Sequence, residues 1–239
     1  MNWFIPREHG AWAMLIVPYI LGMLVSSASW LHLIFFIGVL AFYFASGPLL
    51  AYIRKPKLKK EVIPSLCIYI SCGLLFTLPI LYLFPRIIFI GFLIIPFFLL
   101  NLFFAKLKKE RLFINDLVAI IALSFLVLIS YYIGVGTVDA KSLLIMVINI
   151  IFFTASVFHV KTLIRERGNV KFLWSSHLFH GVTVALFFLL SLPVVAVAFL
   201  VGMLKAWFMP KAKRYKPIEI GLIEIANSIV FVVIIGVFL

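Results

Sequence analysis

The sequence predicts an all-α fold, a polytopic membrane helix bundle of about nine transmembrane helices that makes one transmembrane domain of residues 1–239. Three observations predict it. Of 239 residues, 65% are hydrophobic and 12% charged, whereas a soluble domain is about half apolar and a quarter charged. In water such a chain would expose more apolar surface than one core can hide. The charges fall in short clusters separated by roughly 45 to 55 nearly uncharged residues, the rhythm of a helical hairpin crossing out and back. Between the breaks lie apolar runs of about 20 residues, the length a bilayer core requires.

In chain order the expected spans are 10–25, 31–53, 62–84, 87–105, 113–135, 143–163, 172–190, 193–208 and 218–239. The first follows Arg7 and has some signal-peptide character, but the second follows at once, so it reads as a retained helix. A short turn at 26–29 separates these two, and RKPKLKKE at 54–61 closes the second. The third carries Cys67 and Cys72 and ends at the Phe84-Pro85 corner. A spacing of five puts the cysteines on different helix faces, which suggests neither a disulfide nor a metal pair; they read as small buried hydrophobes. The fourth span ends in KLKKER (106–111), and the fifth in the weakly charged turn at 134–141. RERGNVK (165–171) closes the sixth, Ser191-Leu192-Pro193 divides the seventh from the eighth, and PKAKRYKP (210–217) precedes the ninth.

Charged and weakly charged breaks therefore alternate. Of 21 Lys and Arg, 19 fall on one side and only Arg86 and Lys141 on the other. By the positive-inside rule the N-terminus is cytoplasmic and the C-terminus outside, the orientation expected of an inner-membrane protein. The net charge of +13 is thus topological first. Nucleic acid is excluded as a partner, because no segment can build a basic face on a folded domain. Membrane lipids are the expected partners: the loops can bind anionic headgroups, and Arg can fork phosphate oxygens. At an offset of 111 residues Ile53-Arg54 echoes Ile164-Arg165, Lys60 echoes Lys171 and Ser65 echoes Ser176. Basic loops resemble one another by composition, which is the default explanation ahead of an internal repeat.

Ionisable and amide side chains inside a membrane are costly, so their placement carries information. Most gather in the cytoplasmic half: His9 at the start of span one, Asn101, Asn115-Asp116, His159, Ser175, Ser176, His177, His180, Glu224 and Asn227. The outer half offers mainly Asn149 and Tyr131-Tyr132. The asymmetry suggests a cavity open to the cytoplasm above an apolar floor. Each element also has a plainer reading. His177 and His180 share a helix face at i and i+3, which suits metal or haem ligation, although interfacial histidines bonded to water or backbone are the commoner case. His9 and Asn115-Asp116 can serve helix N-termini, and Asp116 reads as a cap in preference to a catalyst. Glu224 lies about 9 Å into its helix, where a carboxylate is neutral or paired with a cation. No Gly-rich phosphate loop, paired metal cysteines, nucleophile elbow or HExxH is present.

With PREHGAWAM at 6–14 and Val17-Pro18 following, the sequence resembles the YwiC-like family of bacterial membrane proteins, which implies a cell-membrane location and leaves the chemistry to the residues. More distantly it resembles the UbiA-type intramembrane prenyltransferases. That resemblance implies nine helices, an inside N-terminus, and active-site motifs in the cytoplasmic loops after helices 2 and 6. SGPLLAYIRKPK (46–57) and FHVKTLIRERGN (158–169) occupy those places. The family's two Asp-rich, Mg²⁺-holding motifs are missing: Ser46, Tyr52 and His159 stand about where the acids belong, and the loops offer only Glu61 and Glu166.

These readings converge on a nine-helix bundle whose cytoplasm-facing pocket binds a lipidic molecule with a polar head, of the prenyl-chain or quinone type. The candidate ligand-binding residues are Arg7, His9, Arg54, His159, Arg165, His177, His180 and Glu224. The arginines would hold the headgroup; the histidines and Glu224 would move protons or bond the ring. The 26 Phe would line an apolar tunnel or face lipid. As an enzyme the chain would be a transferase with His and Arg in place of Mg²⁺. The alternatives are a haem-binding or electron-transfer protein with axial ligands drawn from His9, His159, His177 and His180, and a transporter with helices broken near Pro18, Pro79 and Pro96. Catalytic residues and cofactors stay open, and no residue is assigned as a metal ligand.

Overall fold

The computed structural model describes residues 9–211 and 213–239, with side chains from residue 12 onward. Those residues form nine α-helices and no strand: α1 (His9–Leu24), α2 (Trp30–Arg54), α3 (Lys59–Leu83), α4 (Ile87–Lys106), α5 (Phe113–Val135), α6 (Ala140–Leu163), α7 (Val170–Leu189), α8 (Pro193–Phe208) and α9 (Pro217–Phe238). A 3₁₀ turn, Pro56–Leu58, joins α2 to α3. Seven helices, α2 to α7 and α9, are long and apolar enough to cross a membrane. Of the other two, α8 has 16 residues, or about 24 Å at 1.5 Å per residue, short of a hydrocarbon core of about 30 Å, and α1 has 16 residues among those described.

The ends of the helices fall within a few residues of the expected spans, and the largest shifts have local causes. Helix α6 starts early because Asp139 caps it. The Asp139 carboxylate accepts the Ser142 N–H at 2.9 Å while the Asp139 N–H donates to Ser142 Oγ at 3.0 Å, a reciprocal capping box. Tyr131 at the end of α5 donates its hydroxyl to the same carboxylate at 2.7 Å. Helix α3 takes in Lys59 and Lys60, with Glu61 in its first turn where the helix dipole favours an acid.

Helix α1 lies between two groups of helices. One of its faces packs with α2, α3, α4 and α5 around Leu15, Tyr19, Phe35, Ile80 and Leu126. The other packs with α5 to α9 around Leu21, Ile145, Phe152, Phe187, Phe199 and Phe231. Small residues let backbones approach, as membrane packing requires. A Cβ on Gly22 would collide with the Val127 carbonyl oxygen of α5, and one on Gly38 of α2 would lie 3.0 Å from the Gly73 carbonyl of α3. The aromatic residues mark two levels: Trp30 and Tyr82 are exposed at the weakly charged side, and Tyr52, Trp174 and Trp207 at the basic side.

Several expectations need correction. Cys67 is exposed and Cys72 half-buried, both as free thiols. Helix α3 buries Ser65, Tyr69, Gly73 and Thr77 instead, a stripe at intervals of four that leaves the cysteines off the packed face. The prolines do not break their helices; α1, α3 and α4 continue through Pro18, Pro79 and Pro96. The weakly charged half also holds more polar structure than Asn149 and the tyrosine pair. His32 of α2 is fully buried, with Nε2 2.9 Å from the Ser130 carbonyl of α5. Its Nδ1 faces the Ser29 N–H at 3.2 Å. Nδ1 accepts, so Nε2 carries the proton and donates to Ser130. Tyr19 of α1 donates to the His32 carbonyl at 2.7 Å, so one histidine links three helices.

Two outcomes test this account. Gly22→Val should force α1 from α5 and lower thermal stability in detergent by about 1–3 kcal/mol, while Gly91→Ala, with nothing near its Cβ, should leave the midpoint unchanged or slightly raised. The Asp139 carboxyl is held below its ordinary range, first by the Ser142 N–H and then by the Tyr131 hydroxyl. Its contribution is therefore complete above the usual carboxylate range and lost as pH falls through the depressed value. Asp139→Asn should remove that part of the acid-side loss in a pH–stability profile.

Candidate functional site

The site begins with aromatic packing between α6 and α9. Phe152 and Phe231 stack with centroids 3.8 Å apart and planes 8° from parallel, and Phe199 meets both edge-on. Phe187 packs on Phe199. The space in which an apolar tunnel was expected is here filled by phenylalanine. Along the same two helix faces, one to two turns toward the basic side, the residues become polar: Ser156 and His159 on α6, Glu224 and Asn227 on α9.

Glu224, 5% exposed, accepts two hydrogen bonds. Ser156 Oγ donates to Oε2 at 2.7 Å, and Lys205 Nζ of α8 donates to Oε1 at 2.6 Å. Both members of the ion pair are buried, with side chains 11% and 7% exposed. His159 is wholly buried. Its Nδ1 lies 3.4 Å from Lys211 Nζ, which can only donate, so Nδ1 accepts and Nε2 carries the proton. That Nε2 is 3.9 Å from Glu224 Oε1, too far for a hydrogen bond, and no partner is found for it among the described residues.

Helix α7 supplies two more imidazoles. His180 is buried and its Nδ1 donates to the Ser176 carbonyl at 2.7 Å. The His177 ring lies 6.0 Å from both the Trp174 and Trp207 rings. Trp207 Nε1 donates to the His177 carbonyl at 3.2 Å, and the buried His177 Nε2 has no partner among the described residues. His177, His180, Lys205 and Lys211 all lie close enough to His159 to act on it electrostatically. Lys211 sits in the loop between α8 and α9. Burial first, and then the nearby Lys205 charge, push its ammonium down to about 8, while Glu224 pulls the other way.

Of the residues expected here, His159, His177, His180 and Glu224 come together from three helices. Arg7 lies outside the described residues; His9 opens α1, and its side chain lies outside them too. Arg54 and Arg165 make their contacts elsewhere. Arg54 Nε meets Glu110 Oε1 at 2.6 Å, and Arg165 Nη1 donates to the Arg111 carbonyl at 3.3 Å. Both therefore hold the loop between α4 and α5, one from α2 and one from the end of α6. Asp116 does not cap α5, whose N-cap is Leu112. It pairs with the nearly buried Lys161 at 2.8 Å, and Lys161 also donates to the Arg111 carbonyl at 2.8 Å. The pairing follows from burial, since a buried ammonium needs an anion more than a helix end needs a cap.

Ser156, Lys205 and Lys211 were missed. Lys205 lies inside the apolar span 193–208, so the argument that singled out Glu224 applied to it equally; it was counted only as a topological charge. Among the described residues no three His, Cys, Asp or Glu gather to hold a metal ion. What the cluster can do is bind a polar head against two ammonium groups and imidazole nitrogens. Removing one member of the buried pair, as in Glu224→Ala or Lys205→Ala, should cost about 3–5 kcal/mol of stability in detergent. Glu224→Gln combined with Lys205→Met should recover much of it; additive losses would show that the pair is not coupled.

The family model described as YwiC-like protein matches residues 5–131, which hold α1 to most of α5. An uncharacterized protein of Haemophilus influenzae is 30% identical over 234 residues, 98% of each chain. The uncharacterized protein YwiC of Bacillus subtilis is 31% identical over 239 residues, 100% of this chain and 99% of the relative. No solved structure matches. These full-length similarities extend across α6 to α9, where the polar cluster lies, so the whole bundle is common ground. The chain is an all-helical, multi-pass membrane protein that belongs to the YwiC-like family.

Proposed function

We propose that this protein lies in the bacterial inner membrane, N-terminus in the cytoplasm and C-terminus outside, and binds a lipidic molecule by its polar head at the His159–Glu224–Lys205–Lys211 cluster. Orientation is supported by the 19 basic residues of one side against Arg86 and Lys141 of the other. One observation carries the ligand reading: His159 Nε2, the ring nitrogen that bears the proton when Nδ1 accepts from Lys211, is buried 3.9 Å from a carboxylate and without a partner among the described residues. A buried donor left in this state costs about 1–3 kcal/mol, and a headgroup oxygen would satisfy it. Trp174 and Trp207 beside His177 favour a depth near the headgroup layer. Below the cluster the stacked Phe152 and Phe231 fill the bundle, so an apolar tail of the prenyl or quinone type would leave sideways into lipid.

In a transferase of the UbiA kind, Lys205, Lys211 and the imidazoles would stand in for a metal ion; the nine-helix count supports this as a likeness of topology. Haem binding is a second reading favoured by one observation. His180 has Nδ1 held by a backbone carbonyl, the second-shell arrangement that presents Nε2 to a metal, and His159 is on the adjacent α6. Transport ranks below both, because helices that run through their prolines lack the unwound midplane segments of transporter sites.

Mass spectrometry of lipids co-purifying with the full chain should find a species enriched over bulk membrane lipid and depleted several-fold by His159→Gln; identical lipid profiles would overturn the reading. A Soret band in the purified protein would favour haem. Reporter fusions after residues 84, 136 and 239 should read external, and those after 57 and 171 internal. An internal reporter at 239 would overturn the outside C-terminus.

A further inference from the structure

We infer that the head recognised at this cluster is an oxyanion of the phosphate class, held between the Lys211 ammonium and His159 with Lys205 behind them. The inference rests on the ligand reading above and adds the sign and chemistry of the head. Its first support is charge balance. Lys205 and Lys211 bring two positive charges, and Glu224 brings one negative charge. That carboxylate is already engaged, by Lys205 at 2.6 Å and by Ser156 at 2.7 Å. Lys211 has one hydrogen-bonding contact among the described residues, the neutral His159 Nδ1 at 3.4 Å, and no carboxylate there forms an ion pair with it. Even with every imidazole uncharged, one positive charge is left over on the half-buried Lys211, where a counter-ion or water must answer it.

The second support is donor geometry. The site offers the Lys211 ammonium and, next to it, the N–H of His159 Nε2, which has no partner among the described residues; the two are carried on different elements. Adjacent donors suit an anion with several oxygens. A cation would meet two ammonium groups, and a neutral head would leave the surplus charge in place. Arg54 and Arg165 are committed to Glu110 and the Arg111 carbonyl, so among the described residues recognition falls to lysine. Lys211 is also the group whose charge can change. It titrates at about 8, being half-buried and next to Lys205, facing His159 of α6, His177 and His180 of α7, Lys205 of α8 and Glu224 of α9. A bound oxyanion would favour its protonated form, and loss of that proton at higher pH would weaken binding.

The test uses the purified full chain in an uncharged detergent, with calorimetric titration of dodecyl phosphate, dodecanol and inorganic phosphate. Dodecyl phosphate should bind at least about tenfold more tightly than dodecanol. Lys211→Gln should lose most of that difference, Lys211→Arg should keep it, and Lys109→Gln, an exposed lysine of the α4–α5 loop, should change nothing. Wild-type affinity should fall between about pH 7 and 9, one unit either side of the Lys211 value of about 8, whereas the Lys211→Arg variant should hold steady. Because Lys211 lies in a loop, these variants remain informative even where His159→Gln fails to fold. Equal binding of phosphate and alcohol, both weakened by His159→Gln, would overturn the oxyanion and leave the lipid site standing. Inorganic phosphate bound as tightly as the alkyl ester, with the same Lys211→Gln loss, would support the oxyanion and overturn the lipidic ligand. Phosphate binding indifferent to Lys211 and His159 alike would overturn both.

Discussion

Glu224 and Lys205 meet at 2.6 Å with both side chains nearly inaccessible, and much of the basic end of the bundle is arranged around that contact. In hydrocarbon an unpaired carboxylate is not tolerated, so α8 and α9 must present acid and base at one depth. Ser156 takes the second carboxylate oxygen, which fixes α6 against the same point. With α6 in place, His159 on the next turn can only look into the space between Glu224 and Lys211. The cluster is a consequence of satisfying one buried charge, and its unfilled hydrogen-bonding capacity is what remains after that requirement is met.

The other charged contacts of the basic end have a different character. Arg54, Lys161 and Arg165 close on Glu110, Asp116 and the Arg111 carbonyl, binding the α4–α5 loop to α2 on one side and α6 on the other. Arg54 is about half exposed, where an ion pair contributes little, about 0–1 kcal/mol, while Lys161 is buried and its pairing matters more. The cations that fasten the loop are thus a separate set from Lys205 and Lys211 of the polar cluster.

The helices were legible in the sequence because apolar run length and charged breaks are one-dimensional signals, and a bilayer leaves few alternatives to a helix. Even the early start of α6 had its sign in Asp139 and Ser142. What was not legible were pairings between elements far apart in the chain. Arg54 and Arg165 looked like headgroup ligands because their partners, on the α4–α5 loop, are roughly 50 residues away in either direction. Lys205 and Lys211 looked like topology markers because their positions beside Glu224 and His159 exist only after folding. His32 was passed over since its neighbours Ser29, Ser130 and Tyr19 give no periodic pattern, and a lone histidine near a helix start says little by itself.

The α1–α5 contact has a consequence for how the protein is made. Gly22 fits only against the Val127 carbonyl, and Gly134 only against Ser26, so the first helix has its mate on a stretch synthesised some hundred residues later. Until then α1 stays in lipid with its glycine notch open. Its opposite side waits longer, because Gly236 of the last helix abuts Leu24. A chain emerging from the ribosome in order would therefore complete the seat of its first helix only when its last helix arrives.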